Sequence, residues 1–189
     1  MRLNKNLAAL AVAAMAGAAS ADPVDWKSVG GWDVSFYPNS EGCQAFALFE
    51  EDTAFFIGFD STFNELSLEV TLMDERWGSI EAGKEYQIGV KFGDETPWSL
   101  GMEGLQTDGF PGLRLMIDAG TDEADLFVKE FQRETSMTWN YGDAVLGRYT
   151  LRGSRRAFDE VVNCQLSYLE AKSSQSDPFA ASNSDPFSD

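Results

Sequence analysis

Histidine is absent from all 189 residues. That removes the commonest general base at neutral pH, the His-dependent Ser and Cys nucleophile sites, and His-ligated zinc. Cysteine is nearly absent too: Cys43 and Cys164 are the whole complement, with no Cys-x-x-Cys spacing for a metal or redox centre. Long apolar runs are missing as well. Leu7–Ala16 is the longest, about half of the ~20 residues a membrane-spanning helix needs. Basic groups are scarce, 14 against 31 acidic, for a formal charge of −17. Phosphate backbones and anionic lipid surfaces repel such a chain, which sets nucleic acid aside as a partner. A basic protein, a cationic ligand or calcium would be attracted. Any catalysis would have to run on carboxylates, Tyr, Lys or Arg.

What is present begins with a leader. Arg2 and Lys5 precede the apolar run, and Gly17-Ala18-Ala19-Ser20-Ala21 follows it. A cationic start, a short apolar stretch and a small-x-small end describe a secretory signal peptide over 1–21, cleaved before Asp22. The expected location is therefore periplasmic or secreted. With Arg2 and Lys5 gone, 12 basic groups face 31 acidic ones, a balance of −19. At the other end Ser-Asp-Pro-Phe occurs twice, at 176–179 and 184–187. Ser, Asn, Asp and Pro dominate there, with Phe179 and Phe187 as the large apolar groups, too few to offset the entropy of ordering. Residues 173–189 read as a disordered tail, and 22–172 as a single domain.

Two cysteines in an exported chain imply one disulfide, Cys43 to Cys164. Between them apolar residues recur with period two. Leu66, Leu68, Val70 and Leu72 share one face, as do Tyr86, Ile88, Val90 and Phe92, and then Leu113, Leu115 and Ile117. Met137, Trp139 and Tyr141 precede the Gly142-Asp143 turn, with Val145, Tyr149 and Leu151 after it. "GWDVSFYP", "CQAFALF" and "TAFFIGFD" are further strands. Regular strands punctuated by Gly and Asp predict a mainly β fold, an antiparallel β-sandwich or flattened barrel. Two stretches break the period. "DEADLFVKEFQRE" places Leu126, Phe127, Glu130 and Phe131 in a helical pattern with acids in the first turn. "GSRRAFDEVVNCQLSYLEAK" stripes Ala157, Phe158, Val161, Val162, Cys164, Gln165, Tyr168 and Leu169, with Ser154 as N-cap. That C-terminal helix, packed on the sheet, carries Cys164 on its buried side.

The series "GWDVSFYP", "GCQAFALFE", "FFIGFD", "WGSIEAGKEY" and "LRGSRRAFDEVVNC" resembles small exported β-rich proteins of Gram-negative bacteria. The resemblance covers most of the domain after the leader. It implies a periplasmic or secreted β-protein held by a disulfide, and it carries no activity and no catalytic residues.

Candidate sites are few. Arg148, Arg152, Arg155 and Arg156 crowd into nine residues of an acid-rich chain. Two of them sit at a helix start, where the dipole disfavours cations. With Ser154 they form a possible anion-binding site. Asp118, Asp122, Glu123 and Asp125 could gather around calcium, although a helix start rich in acids reads the same way. Glu65 and Glu69, on one strand face, would stand about 13 Å apart, wider than a glycosidase pair. Trp98, Trp139 and Tyr141 could stack on sugars, or pack inside. No catalytic residue, cofactor or metal site is nominated. The expected function is an exported, acidic, non-enzymatic binding or accessory protein of the cell envelope, partnered by a basic protein, in the manner of an inhibitor, or by another envelope component of basic character. A carboxylate-dependent glycan hydrolase is the alternative.

Overall fold

The computed structural model describes residues 22–49, 52–63, 65–107 and 109–174. The leader assigned to 1–21 and the chain from 175 onward lie outside them. The described residues form β1 (Val24–Val29), β2 (Trp32–Tyr37), β3 (Gly42–Leu48), β4 (Ala54–Asp60), β5 (Ser67–Met73) and β6 (Glu85–Phe92). These are followed by β7 (Trp98–Thr107), β8 (Phe110–Asp118), α1 (Asp122–Arg133), β9 (Ser136–Tyr141), β10 (Ala144–Thr150) and α2 (Ser154–Ser174). Helix α2 thus runs two residues into the stretch assigned to the tail.

All ten strands pair antiparallel in one sheet, ordered β1-β2-β3-β4-β5-β8-β7-β6-β9-β10. The first five strands form a meander. The chain then passes the places later filled by β8 and β7, and β6, β7 and β8 return until β8 pairs with β5. Helix α1 carries it across to β9, on the far side of β6, and β10 closes a hairpin. The mainly β, antiparallel reading holds, but the ladder neither splits into two sheets nor closes into a ring. Its edges are β1 and β10.

Side chains, not backbone pairing, draw the curled ends together. Phe49, just after β3, stacks on Tyr149 of β10 at 4.5 Å. Trp32 Nε1 donates to the Arg152 carbonyl at 3.1 Å. The β1–β2 turn and the turn entering α2 touch backbone to backbone. A Cβ on Gly153 would lie 2.6 Å from the Gly30 carbonyl oxygen, and both residues hold positive φ, +89° and +64°. Only glycine satisfies both the approach and the torsion.

The inner face is aromatic. Trp32 meets Phe49, Phe55 and Phe131 edge-on, with centroids 5.5–6.0 Å apart. Trp139, Phe92 and Phe127 are also fully buried. Each such side chain contributes roughly 1.5–3 kcal/mol on leaving water. Helix α1 starts at Asp122 as its sequence predicts, with Asp122, Glu123 and Asp125 in the first turn; the structure adds a cap, Thr121 accepting from the Ala124 N–H. Its buried stripe is Ala124, Phe127, Glu130 and Phe131. Leu126, expected on that stripe, is 47% exposed.

Helix α2 lies across β1–β4. Cys164 bonds Cys43 with the Cα atoms 6.0 Å apart, and Gln165 Oε1 accepts the Cys43 N–H at 2.8 Å beside it. Phe158 packs on Phe59 and Phe131, and Tyr168 on Phe36. The expected Ser154 cap is corrected. Ser154 is the first helical residue, buried, with its hydroxyl donating to the Phe131 carbonyl at 2.8 Å. A side chain turned inward cannot also cap the helix.

Candidate functional site

Strand β1 carries a bulge at Trp26, where the register slips between Asp25 and Lys27. The extra residue re-aims the strand. Lys27 turns to α2, its ammonium 2.7 Å from Glu160 Oε1, and Trp26 Nε1 donates to the same carboxylate at 3.3 Å. Asp25 remains opposite Ser35 on the outer face. There β1, β2 and β3 form a cleft of about 510 Å³ lined by Asp25, Ser28, Asp33, Ser35, Tyr37 and Phe46, with Trp26 and Lys27 also on its wall.

Serine hydroxyls reach both acids in the cleft: Ser28 Oγ donates to Asp33 at 2.5 Å and Ser35 Oγ to Asp25 at 3.4 Å. Among the described residues neither carboxylate has a cation within ion-pair distance. Burial, and then the negative charges of Asp25 and Asp33, push the Tyr37 phenol above its ordinary pKa. The cleft is therefore a negative pocket with an aromatic wall. Carboxylate oxygens and ring faces both favour an ammonium or guanidinium. The charge pattern alone did not reveal it, because Asp25 and Asp33 converge only through a hairpin and a bulge. Gly30-Gly31 between Val29 and Trp32, a two-residue hairpin signature, was the available signal.

Further along the outer face a second acidic group is half-buried. Gly58 stands between Gln44 and Glu69 in the register, and the space it leaves lets Gln44 Nε2 donate to Glu69 at 2.6 Å. Thr71 Oγ1 donates to the other oxygen at 3.2 Å. Burial, followed by the charge of Asp60, raises the Glu69 pKa; Thr71, Arg114 and Gln44 oppose the rise. Asp60 is itself buried and takes two donors from Thr62. Glu65, expected to share this strand face, lies before β5 begins at Ser67.

The other expectations resolve individually. Trp139 is in the core, Trp98 bonds Glu130 at 2.7 Å, and Tyr141 is half-exposed, so the three do not form one stacking surface. Asp122, Glu123 and Asp125 belong to the first turn of α1, and Asp118 Oδ1 accepts the Gly120 N–H. Among the described residues no three metal-ligating side chains converge. Arg148, Arg152, Arg155 and Arg156 are exposed, flanking the β10–α2 turn. Ser154 does not join them, since its hydroxyl is held inside.

The fold and cleft define a class: an open, curled antiparallel sheet braced by a disulfide-linked C-terminal helix. Among the described residues no helix is long and apolar enough to cross a membrane. No family model, curated protein or solved structure matches the chain.

Proposed function

We propose that this is an exported acidic binding protein of the cell envelope, periplasmic or secreted, whose β1–β2 cleft takes a cationic side chain of a basic partner protein. One observation carries the reading: Asp25 and Asp33 face a cleft with Tyr37 and Phe46, held by serines, while Lys27, the cation on the cleft wall, is ion-paired to Glu160 and to neither of them. The disulfide suits an oxidising compartment, and the surplus of acidic groups speeds encounter with a basic surface. A cationic hydrolase such as lysozyme fits the stated partner chemistry, as an inhibitor's target would. Titration calorimetry against lysozyme at low and moderate salt tests this. A stoichiometric complex that weakens with salt, and by about tenfold or more in Asp25→Asn/Asp33→Asn, is expected. A variant that binds as well as the parent refutes the cleft.

The second reading, a carboxylate-dependent glycan hydrolase, draws on Glu69, whose raised pKa suits a proton donor beside Asp60 on the neighbouring strand. It requires turnover of a glycan that Glu69→Gln abolishes. Without turnover by the parent protein this reading fails.

A further inference from the structure

Of the 12 basic residues after position 21, six hold a carboxylate: Lys27, Arg76, Lys84, Arg114, Arg133 and Lys172. Five of the other six share one end of the sheet. Arg148 and Lys91 flank Thr138 in a single cross-strand row, β6 to β9 to β10. Arg152 lies in the turn after β10, and Arg155 and Arg156 stand on the first turn of α2. The Arg156 guanidinium rests near Gly30 in the turn that braces this corner. Among the described residues none of the five is ion-paired, in a chain where carboxylates outnumber cations more than two to one. The corner also has no acid in the first turn of α2, whereas α1 begins with three.

The same corner is an open sheet edge. β10 pairs with β9 alone, its outer side chains are exposed, and Val145 is 52% exposed beside them. An edge strand offers unpaired backbone donors and acceptors, and an extended segment can add to it as a further strand. We propose that the β10 edge takes an acidic, extended peptide segment of another protein. Main-chain pairing to β10 would supply the docking, and alternate carboxylates would meet Arg148 and Arg152. Arg148 stands on the strand itself and Arg152 in the turn just beyond its end at Thr150, so the two would meet carboxylates at different points of one partner segment. Strand addition fits this surface better than capture of a compact anion, because the cations are spread over β6, β10, the turn after it and the start of α2, beside an edge strand that pairs on one side alone. The site is separate from the β1–β2 cleft, and its failure would leave that reading untouched.

The test is fluorescence anisotropy on the whole protein with a labelled ten-residue peptide alternating Asp and Val. Binding at low salt that weakens as salt rises is expected, against the repulsion of the protein as a whole. Arg148→Ala/Arg152→Ala should weaken it about tenfold or more, with partial recovery in the Lys pair, which keeps charge without the planar fork. Asp25→Asn/Asp33→Asn should not weaken it. N-methylation of alternate peptide amides should cost about as much as losing the arginines, because it removes the strand's donors. No binding by the parent protein overturns the proposal. So does equal binding of the N-methylated peptide or of polyphosphate, which would make the corner a general anion surface. Both arginines project into solvent, so an unchanged thermal midpoint in the Ala pair separates lost binding from lost folding.

Discussion

Two glycines inside strands should respond oppositely to the same substitution. At Gly58 of β4 an added Cβ would lie 2.1 Å from the Cys43 carbonyl oxygen and 2.5 Å from Gln44 Cα. Real Cβ contacts essentially never fall below 3.0 Å, so β3 or β4 would have to give by about an ångström. Strand β3 cannot do so freely, because Cys43 is bonded to α2 and its N–H is held by Gln165. Overpacking of this kind costs about 1–3 kcal/mol. Reduced freedom of the unfolded chain returns about 0.4–1 kcal/mol. The net loss for Gly58→Ala is about 1–2 kcal/mol, or a fall of roughly 2–8 °C in Tm for a chain this size. At Gly89 of β6 the nearest heavy atoms stand 3.8–3.9 Å from the added Cβ, ordinary contact, and no positive φ stands in the way. Gly89→Ala should leave Tm unchanged or raise it by a few degrees. Thermal unfolding followed by near-ultraviolet circular dichroism reads both. A Tm for Gly58→Ala at or above the parent's would refute the claim that β3 and β4 approach too closely for a side chain.

Three further outcomes rest on other parts of the molecule. Replacing both Cys43 and Cys164 with Ala frees a loop of 121 residues, which chain entropy values at about 5 kcal/mol; urea titration should show a lower midpoint, and an unchanged one would show the bridge to be idle. Asp74 is buried and held below its usual pKa chiefly by Arg76, so its contribution is present above the ordinary carboxylate range and lost as pH falls through its folded value. Denaturation midpoints of Asp74→Asn against the parent should differ at pH 7 and converge in acid. Glu69, whose pKa is raised, has the opposite sign: its folded form binds a proton more tightly, so it favours folding in acid and opposes it once ionised. Glu69→Gln should therefore raise the midpoint at neutral pH, with the gain fading below the ordinary carboxylate range.

Period-two alternation made eight of the ten strands visible, and the helical stripe of α2 placed Cys164 where Cys43 meets it. The two strands it did not reveal failed for different reasons. β1 is an exposed edge with a bulge, so its side chains follow no inward–outward pattern. β7 alternates, with Leu100 and Met102 buried, but the next inward place is Gly104, kept bare because a Cβ there would meet the Glu81 carbonyl oxygen at 2.4 Å. The crowding of arginines was legible by counting, but the addition of Lys91 to their row was not. It depends on β6 lying beside β9, a pairing of residues about 50 apart that no local pattern encodes. Ser154 misled because a serine at a helix start reads as a cap, and only the packed fold shows its hydroxyl facing Phe131.

The crossing of α2 over β1–β4 orders events in time. The N-terminal meander is assembled from neighbours in sequence, yet the surface carrying Phe36 and Cys43 is covered by Cys164, Gln165 and Tyr168 of α2, more than a hundred positions later. Oxidation of Cys43 therefore waits for the last helix, and until then a newly made chain exposes an aromatic sheet and a free thiol together. The slow step in maturation should be docking of this helix, which long loop closure retards. A chain truncated before Ser154 would remain a sticky, reduced intermediate instead of a smaller version of the domain.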